Sequence, residues 1–267
     1  MEKQFARTGD GVAIAYRLDG GVDAPVLMLS NSIATSLEMW DEIVPALSRS
    51  HRVLRYDTRG HGRSGVTMGA YSLDRLGRDA LELLDALGIG RVDVCGLSLG
   101  GMVGQWLGIH APDRIGRLVL ANTAPSLAPA QQWDALIAQL RSRTDMESMA
   151  DMFIGNWFPA DYPERRPEVV AAFRRMITRT SPDGLAGCFA AVRDMDFRRT
   201  NTLIAAPTLV IGGTSDTVTL PAHSEQIVAT IPNARLVMLD GVHLLNVEIA
   251  DDFVQHVAGF LSGDHAA

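Results

Sequence analysis

One stretch constrains this chain more than any other: Val92-Asp93-Val94-Cys95-Gly96-Leu97-Ser98-Leu99-Gly100-Gly101-Met102. An apolar, β-branched run stops at a glycine, a serine follows between two glycines, and a helical pattern begins at once. The Gly-x-Ser-x-Gly spacing of Gly96, Ser98 and Gly100 predicts a sharp strand-to-helix turn with the serine at its tip. The flanking residues must lack bulk because the backbone doubles back there. The following helix would aim its N-terminal dipole and free N–H groups at the serine, a place suited to developing negative charge. A glycine-rich turn can also carry a serine by accident. The reading therefore depends on whether the chain supplies a base, an acid and a second oxyanion donor.

Strands and helices alternate on both sides of this turn. Ala13 to Leu18 alternates between turn residues and predicts an edge hairpin with the Phe5 region. Pro25 to Ser30 is a continuous apolar run, typical of a strand covered on both faces. A loop, Asn31 to Ser36, leads to a short helix around Trp40 to Leu47, then a strand Arg52 to Tyr56 and a polar, glycine-rich loop, Asp57 to Ser64. Ser72 is positioned to cap a helix to about Leu87. Val92 to Gly96, Leu99 to His110 and Ile115 to Ala121 read as strand, helix and strand, with Gly101, Gly104 and Gly108 packing the helix close to the sheet. From about Pro125 to Thr200 the pattern is helical: Gln131 to Leu140, Met146 to Ile154, Pro167 to Ile177 and Asp183 to Arg193. Strand periodicity returns at Pro207 to Gly212, followed by a helix Pro221 to Ile231, a strand Arg235 to Leu239 and a helix Val247 to Leu261. A βα series interrupted once predicts an α/β fold with a mostly parallel sheet and an inserted helical cap. In numbers, the core comprises 1–124 and 201–267 and the cap 125–200.

Size and composition narrow the function. The 267 residues can bury a full core. A formal charge of -7, with no Lys/Arg stripe, excludes a phosphate-backbone partner, so no nucleic acid is expected. No run is long enough to span a bilayer and the N-terminus lacks an apolar signal core, so no membrane is expected and a cytoplasmic home is the default. The two cysteines, Cys95 and Cys188, lie far apart, and Cys95 reads as a small buried hydrophobe. Neither a metal nor a cofactor is expected.

A serine hydroxyl needs a hydrogen-bonded base to act as a nucleophile at neutral pH. Of seven histidines, His51, His110, His223 and His256 read as surface or packing residues and His265 lies in the tail. His61 follows a strand but precedes the serine. His243 follows the last strand and is the expected base. Asp216 follows the preceding strand and is the expected acid, because an acid must fix the imidazole tautomer and stabilise the imidazolium. The order Ser98, Asp216, His243 is that of the α/β-hydrolase fold. Asp240, three residues from His243, is expected to shape its turn, and Asn122, after the strand ending at Ala121, cannot carry a charge. Oxyanion donors are expected from the backbone N–H groups of Leu99 and Ile33.

Taken together, the chain resembles the α/β-hydrolase superfamily, with a mostly parallel eight-stranded sheet flanked by helices. Within it the chain is similar to the 3-oxoadipate enol-lactone hydrolases. The stretches that carry the resemblance are Leu29-Ser30-Asn31-Ser32-Ile33, Leu54 to Gly62, and Cys95 to Met102. Most relatives have His-Gly where this chain has Asn31-Ser32, and the Asn-Ser form resembles that of the enol-lactonases. The resemblance implies a small lactone substrate with a free carboxylate, opened through an acyl-enzyme on Ser98. Asn31 and Ser32 are candidate substrate contacts, and Trp133 and Trp157 are candidates to pack on the substrate ring, with ordinary packing in the cap core as the alternative. The free carboxylate calls for an arginine or polar backbone donor facing the pocket. Arg193 and the arginines from Arg141 to Arg179 are the candidates, most of them expected instead on a solvated face of the cap. A carboxylesterase, a perhydrolase-like haloperoxidase, a carbon–carbon bond hydrolase and a non-catalytic ligand-binding member of the fold are the alternatives.

Overall fold

The computed structural model describes residues 4–142 and 146–263. His265 and Arg143, two residues considered above, lie outside that range. Eight strands form one sheet: β1 (Gln4–Arg7), β2 (Ala13–Asp19), β3 (Val26–Ser30), β4 (Arg52–Tyr56), β5 (Val92–Leu97), β6 (Ile115–Ala121), β7 (Thr208–Gly213) and β8 (Ala234–Leu239). Their order is β1-β2-β4-β3-β5-β6-β7-β8. The β1–β2 and β2–β4 pairs are antiparallel and all others parallel. This is the α/β-hydrolase fold.

The helices are α1 (Val44–Leu47), α2 (Leu73–Ala86), α3 (Leu99–His110), α4 (Ala130–Ser142), α5 (Glu147–Trp157), α6 (Tyr162–Arg165), α7 (Pro167–Arg179), α8 (Pro182–Asp194), α9 (Pro221–Thr230), α10 (Leu245–Glu248) and α11 (Ala250–Ser262). Ser72 caps α2 as expected, accepting a hydrogen bond from Arg75 N at 3.1 Å. Helix α3 packs on β5 and β6, and α9 on β7 and β8. The central strands are buried on both faces because helices cover them, which is why β3 and β5 read as apolar runs. Among the described residues no helix is long and apolar enough to cross a membrane.

The topology places the site. From β3 the chain steps to β4 on one side, then returns to β5 on the other side and continues outward to β8. The switch in direction therefore lies between β3 and β5, where open α/β sheets bind ligands beyond the carboxyl ends of their strands. Residues 31–33 follow β3 there, and Ser98 follows β5.

Three local expectations are corrected. The helix expected at Trp40 to Leu47 is instead a 3-10 turn, Leu37–Trp40, followed by the single turn α1. The helix expected from Val247 splits into α10 and α11 at Ile249, whose backbone (φ -134, ψ 54) is not helical. The break is tied to contacts made by α10 itself: Asn246 Nδ2 donates to Met39 O at 2.8 Å and Glu248 Oε2 accepts from Val242 N at 2.7 Å. Gly108 does not face the sheet as Gly104 does. A side-chain carbon there would meet Ile204 at 3.2 Å, whereas at Gly104 it would meet Leu118 and Leu120 of β6.

Between β6 and β7 the insertion holds α4 to α8, with α4 packed on α8 and α5 on α7. The short helix α6 was not legible in the sequence. Arginines cross-link the larger helices: Arg193 (α8) pairs with Asp134 (α4) at 2.7 Å, and Arg174 (α7) with Glu147 and Asp151 (α5) at 2.9 and 2.6 Å.

Candidate active site

Ser98 sits at φ 56 and ψ -117, a left-handed conformation that costs a non-glycine residue about 1–3 kcal/mol and persists only where the surroundings enforce it. Here its N–H donates to Ala121 O at 3.0 Å, while Ser98 O accepts from Thr123 Oγ1 at 2.7 Å and from Met102 N at 3.1 Å. The two glycines are required by space. A Cβ at position 96 would lie 2.1 Å from Gly100 O, and one at position 100 would lie 1.9 Å from Ser30 O. That last approach also brings the end of β3 against the turn.

The loop after β3 divides its labour differently from expectation. Asn31 is fully buried: its Nδ2 donates to Tyr56 O at 2.8 Å and its Oδ1 accepts from Trp40 Nε1 at 2.8 Å. With both ends of its amide spent on protein, Asn31 shapes the loop and does not line the cavity. Ser32 does not line it either, and its N–H points to Met39 Sδ at 3.2 Å. Ile33 does line the cavity, beside Ser98 and Leu99. The N–H groups of Ile33 and Leu99 make no hydrogen bond among the described residues.

Asp216 and His243 meet: Oδ2 lies 2.7 Å from His243 Nδ1, with both side chains buried. This pairing places the imidazole proton on Nδ1 and leaves Nε2 as the basic nitrogen. The Asp216 carboxylate accepts four further bonds. Asn122 Nδ2 and Thr219 Oγ1 reach Oδ2, each at 2.7 Å, while Val218 N and Thr219 N reach Oδ1 at 2.8 and 3.0 Å. Burial pushes the carboxyl upward, but the attraction of His243 and the hydrogen bonds from His243, Asn122 and Thr219 outweigh it and hold the group below the ordinary carboxylate range. The imidazole-bearing residue is fixed through its backbone as well, since His243 N donates to Trp157 O at 3.3 Å. Asp240 is exposed and touches Thr214 Oγ1 at 3.3 Å, away from the imidazole. His61 does not line the cavity. Its Nδ1 lies 3.2 Å from Arg59 O, and burial lowers its pKa to about 4, leaving it neutral.

Ser98 and His243 share a cavity of about 500 Å³ roofed by α4, α5 and α8. Its walls are chiefly apolar, with Met102, Leu127, Phe153, Phe189, Trp133 and Trp157 among them. Trp133 is oriented by its Nε1, which donates to Leu127 O at 2.9 Å, and Trp157 lies tilted against Phe153 with centroids 4.8 Å apart. The arginine expectation is corrected: among the described residues no arginine lines this cavity. Arg193, Arg174, Arg165 and Arg166 are paired with nearby carboxylates. Arg141, Arg175 and Arg179 border other surface grooves. Besides Ser98 and His243, the polar lining includes the amides Gln132, Gln139 and Asn156, on α4 and α5, and Thr217.

Comparison with known proteins gives the family. Residues 25–147 match the family model of the alpha/beta hydrolase fold. Over 241 residues the chain is 37% identical to a 3-oxoadipate enol-lactonase of Acinetobacter baylyi, covering 90% of each. The chain belongs to the 3-oxoadipate enol-lactonase family. Two crystal structures superpose closely on this family member. One is a hydrolase from Pseudomonas aeruginosa (56% identity, TM-score 0.95, covering 97% of this chain and 98% of that one). The other is the enol-lactonase from Burkholderia xenovorans (40% identity, TM-score 0.94, covering 97% and 100%). Membership of this family makes the protein a carboxylic ester hydrolase.

Asn122, Thr219 and the three cap-side amides were missed in reading this enol-lactonase relative from sequence. Thr219 carried a usable signal, because an aspartate commonly accepts from N–H groups two and three residues ahead in a turn. Asn122 carried only its place after a strand, and the pairing of β6 with β7 is what brings it to Asp216.

Proposed function

We propose that this protein is a serine hydrolase that opens 3-oxoadipate enol-lactone to 3-oxoadipate, with Ser98, His243 and Asp216 as nucleophile, base and acid. The observation that carries the substrate assignment is the 37% identity, over 90% of both chains, to an enol-lactonase. Support for the chemistry comes from the cavity that Ser98, His243, Ile33 and Leu99 share.

Ser98 Oγ attacks the lactone carbonyl as His243 Nε2 takes its proton, and the Ile33 and Leu99 N–H groups receive the oxyanion. The bond from acyl carbon to ring oxygen then breaks. Its electron pair leaves as an enolate, whose charge delocalises onto carbon and makes it a better leaving group than an alkoxide. His243 returns the proton to this enolate, which remains tethered to the acyl chain. Water, activated by His243, then attacks the acyl-enzyme and releases the acid and Ser98.

The substrate carboxylate belongs at the mouth of the cavity in this reading. An ion among Phe153, Phe189 and Trp157 would lose its hydration without a cation to replace it. Gln132 and Asn156 are exposed and Gln139 half-buried, so their amide N–H groups can bind the carboxylate while water still solvates it. The lactone ring then enters carbonyl first, and α4 to α8 act as a cap over it.

The test follows the ultraviolet absorbance of the enol-lactone with purified protein, beside 4-nitrophenyl acetate. The proposal expects kcat/KM for the lactone to exceed that for the ester by at least about tenfold, a difference of 1.4 kcal/mol in transition-state stabilisation. Faster turnover of the ester would make the protein a general esterase on the same frame.

A further inference from the structure

Asn122 stands where three strand ends converge. It follows β6, and its N–H donates to Ile211 O at 2.8 Å, extending the β6–β7 ladder by one bond. Its φ of 39 lies in the left-handed region, which asparagine enters more readily than most residues. The side chain is fully buried. One acceptor for its Nδ2 is Asp216 Oδ2, at 2.7 Å, on the loop after β7. The other is Val242 O, at 2.9 Å, the carbonyl immediately before His243 on the loop after β8. Both acceptors are oxygens without protons, so the nitrogen must face them. The neighbouring backbone leaves room for this bridge and little else. A Cβ at Gly213 would lie 2.1 Å from Val242 O and 3.0 Å from Asn122 Nδ2.

We propose that Asn122 is a positioning residue that ties the Asp216 carboxylate and the His243 loop into one unit, holding Asp216 Oδ2 on His243 Nδ1 throughout the reaction. This rests on the reading of Asp216 and His243 as acid and base. The physical need is specific. Asp216 must present one oxygen to the imidazole while the imidazole gains and loses a positive charge, and a carboxylate left free to rotate would exchange oxygens. Thr219 fastens the same carboxylate from its own loop. Asn122 also joins that carboxylate to the loop that bears the base, through Val242 O, because a primary amide offers two N–H groups on one atom. A carboxyl group in its place would have at most one proton to offer and would add charge next to Asp216.

The titratable groups around this pair are His243, His223 on α9, the exposed Asp240 at the end of β8, and Glu248 on α10, which holds Val242 N. The test uses the full-length protein with 4-nitrophenyl acetate, comparing wild type with N122A, N122G and N122D, and with D216N as control. N122A should lose about 10- to 100-fold in kcat with KM nearly unchanged, as expected for removing a buried hydrogen bond to a charged group. N122G separates the amide from the backbone, because glycine accepts the positive φ without strain, and it reads the same loss should N122A not fold. In N122D the added carboxyl sits beside Asp216 and, once ionised, favours imidazolium. The acid limb of kcat/KM against pH should then move upward by about one unit. If N122G keeps more than half of wild-type kcat and the N122D profile superimposes on wild type while D216N is impaired, Asn122 is only a packing residue. Full activity in D216N would remove the acid assignment itself, and this proposal with it.

Discussion

The loops after β5, β7 and β8 differ sharply from the helices roofing the cavity in how their side chains are held. Behind the imidazole, Asp216 accepts five hydrogen bonds and its partners Asn122, Thr219 and His243 are buried. On the roof, the ion pairs linking α4 to α8 and α5 to α7 are largely exposed, and the amides at the cavity mouth carry no side-chain bond among the described residues. The difference reflects what each region must do. A group that passes a proton must be fixed to within a fraction of an ångström, which several buried hydrogen bonds to one carboxylate achieve. Surfaces that admit and choose a ligand need only shape and a few polar contacts. Changes in the first region should therefore reach kcat, and changes in the second KM.

Ser98→Ala should have the largest effect, a loss of kcat of about 10⁴-fold or more with the fold intact. Substantial residual turnover in that variant, with circular dichroism unchanged, would contradict the assignment of the nucleophile. Asp216→Asn comes next, at about 10³- to 10⁴-fold in kcat, whereas Asp240→Asn should stay within about twofold; the reverse ranking would move the acid. Asp216 also links the site to stability. Because its pKa is depressed in the folded protein, its contribution is complete above the unfolded value of about 4 and fades as pH falls through the folded value. Melting temperature measured between pH 3 and 7 should therefore fall less steeply at the acid end in Asp216→Asn than in wild type.

Trp133→Ala tests the other side of the contrast. It should raise KM for the lactone about tenfold, the worth of one partly covered ring, with a smaller change in kcat. A drop in kcat with KM untouched would show that the roof takes part in chemistry. The smallest effect is expected for Arg193→Ala. Its exposed pairing with Asp134 and Asp194 contributes at most about 1 kcal/mol to stability, and kcat/KM should change by less than about twofold. A rise in lactone KM specific to this variant would return Arg193 to the substrate-binding role that the sequence suggested.

The legibility of the molecule follows the same division. Residues whose part is set by their own strand and turn could be read directly: Gly96 and Gly100 around Ser98, Ser72 at the head of α2, and the apolar runs of β3 and β5. Asp216 and His243 could be nominated because each follows a strand, and parallel strands bring such loops to one edge. Asn31 was misjudged because the sequence shows an amide on a loop after a strand, not the Trp40 and Tyr56 groups that consume it. Arg193 and Arg174 could be named only as candidates for a related reason: their partners Asp134, Glu147 and Asp151 lie on other helices.

By itself, the sequence determined the order of strands and helices, the tight turn at Ser98 and the types of side chain at the sheet edge, because these depend on neighbours a few residues away. Only the tertiary structure decided that Asn122 would grip Asp216 and the His243 loop, whose bonded partners lie 94 and 120 positions further along the chain. It also decided that amides, and no arginine among the described residues, would face the cavity. Those outcomes depend on which strand ends and helix faces packing brings together, and no local pattern encodes that.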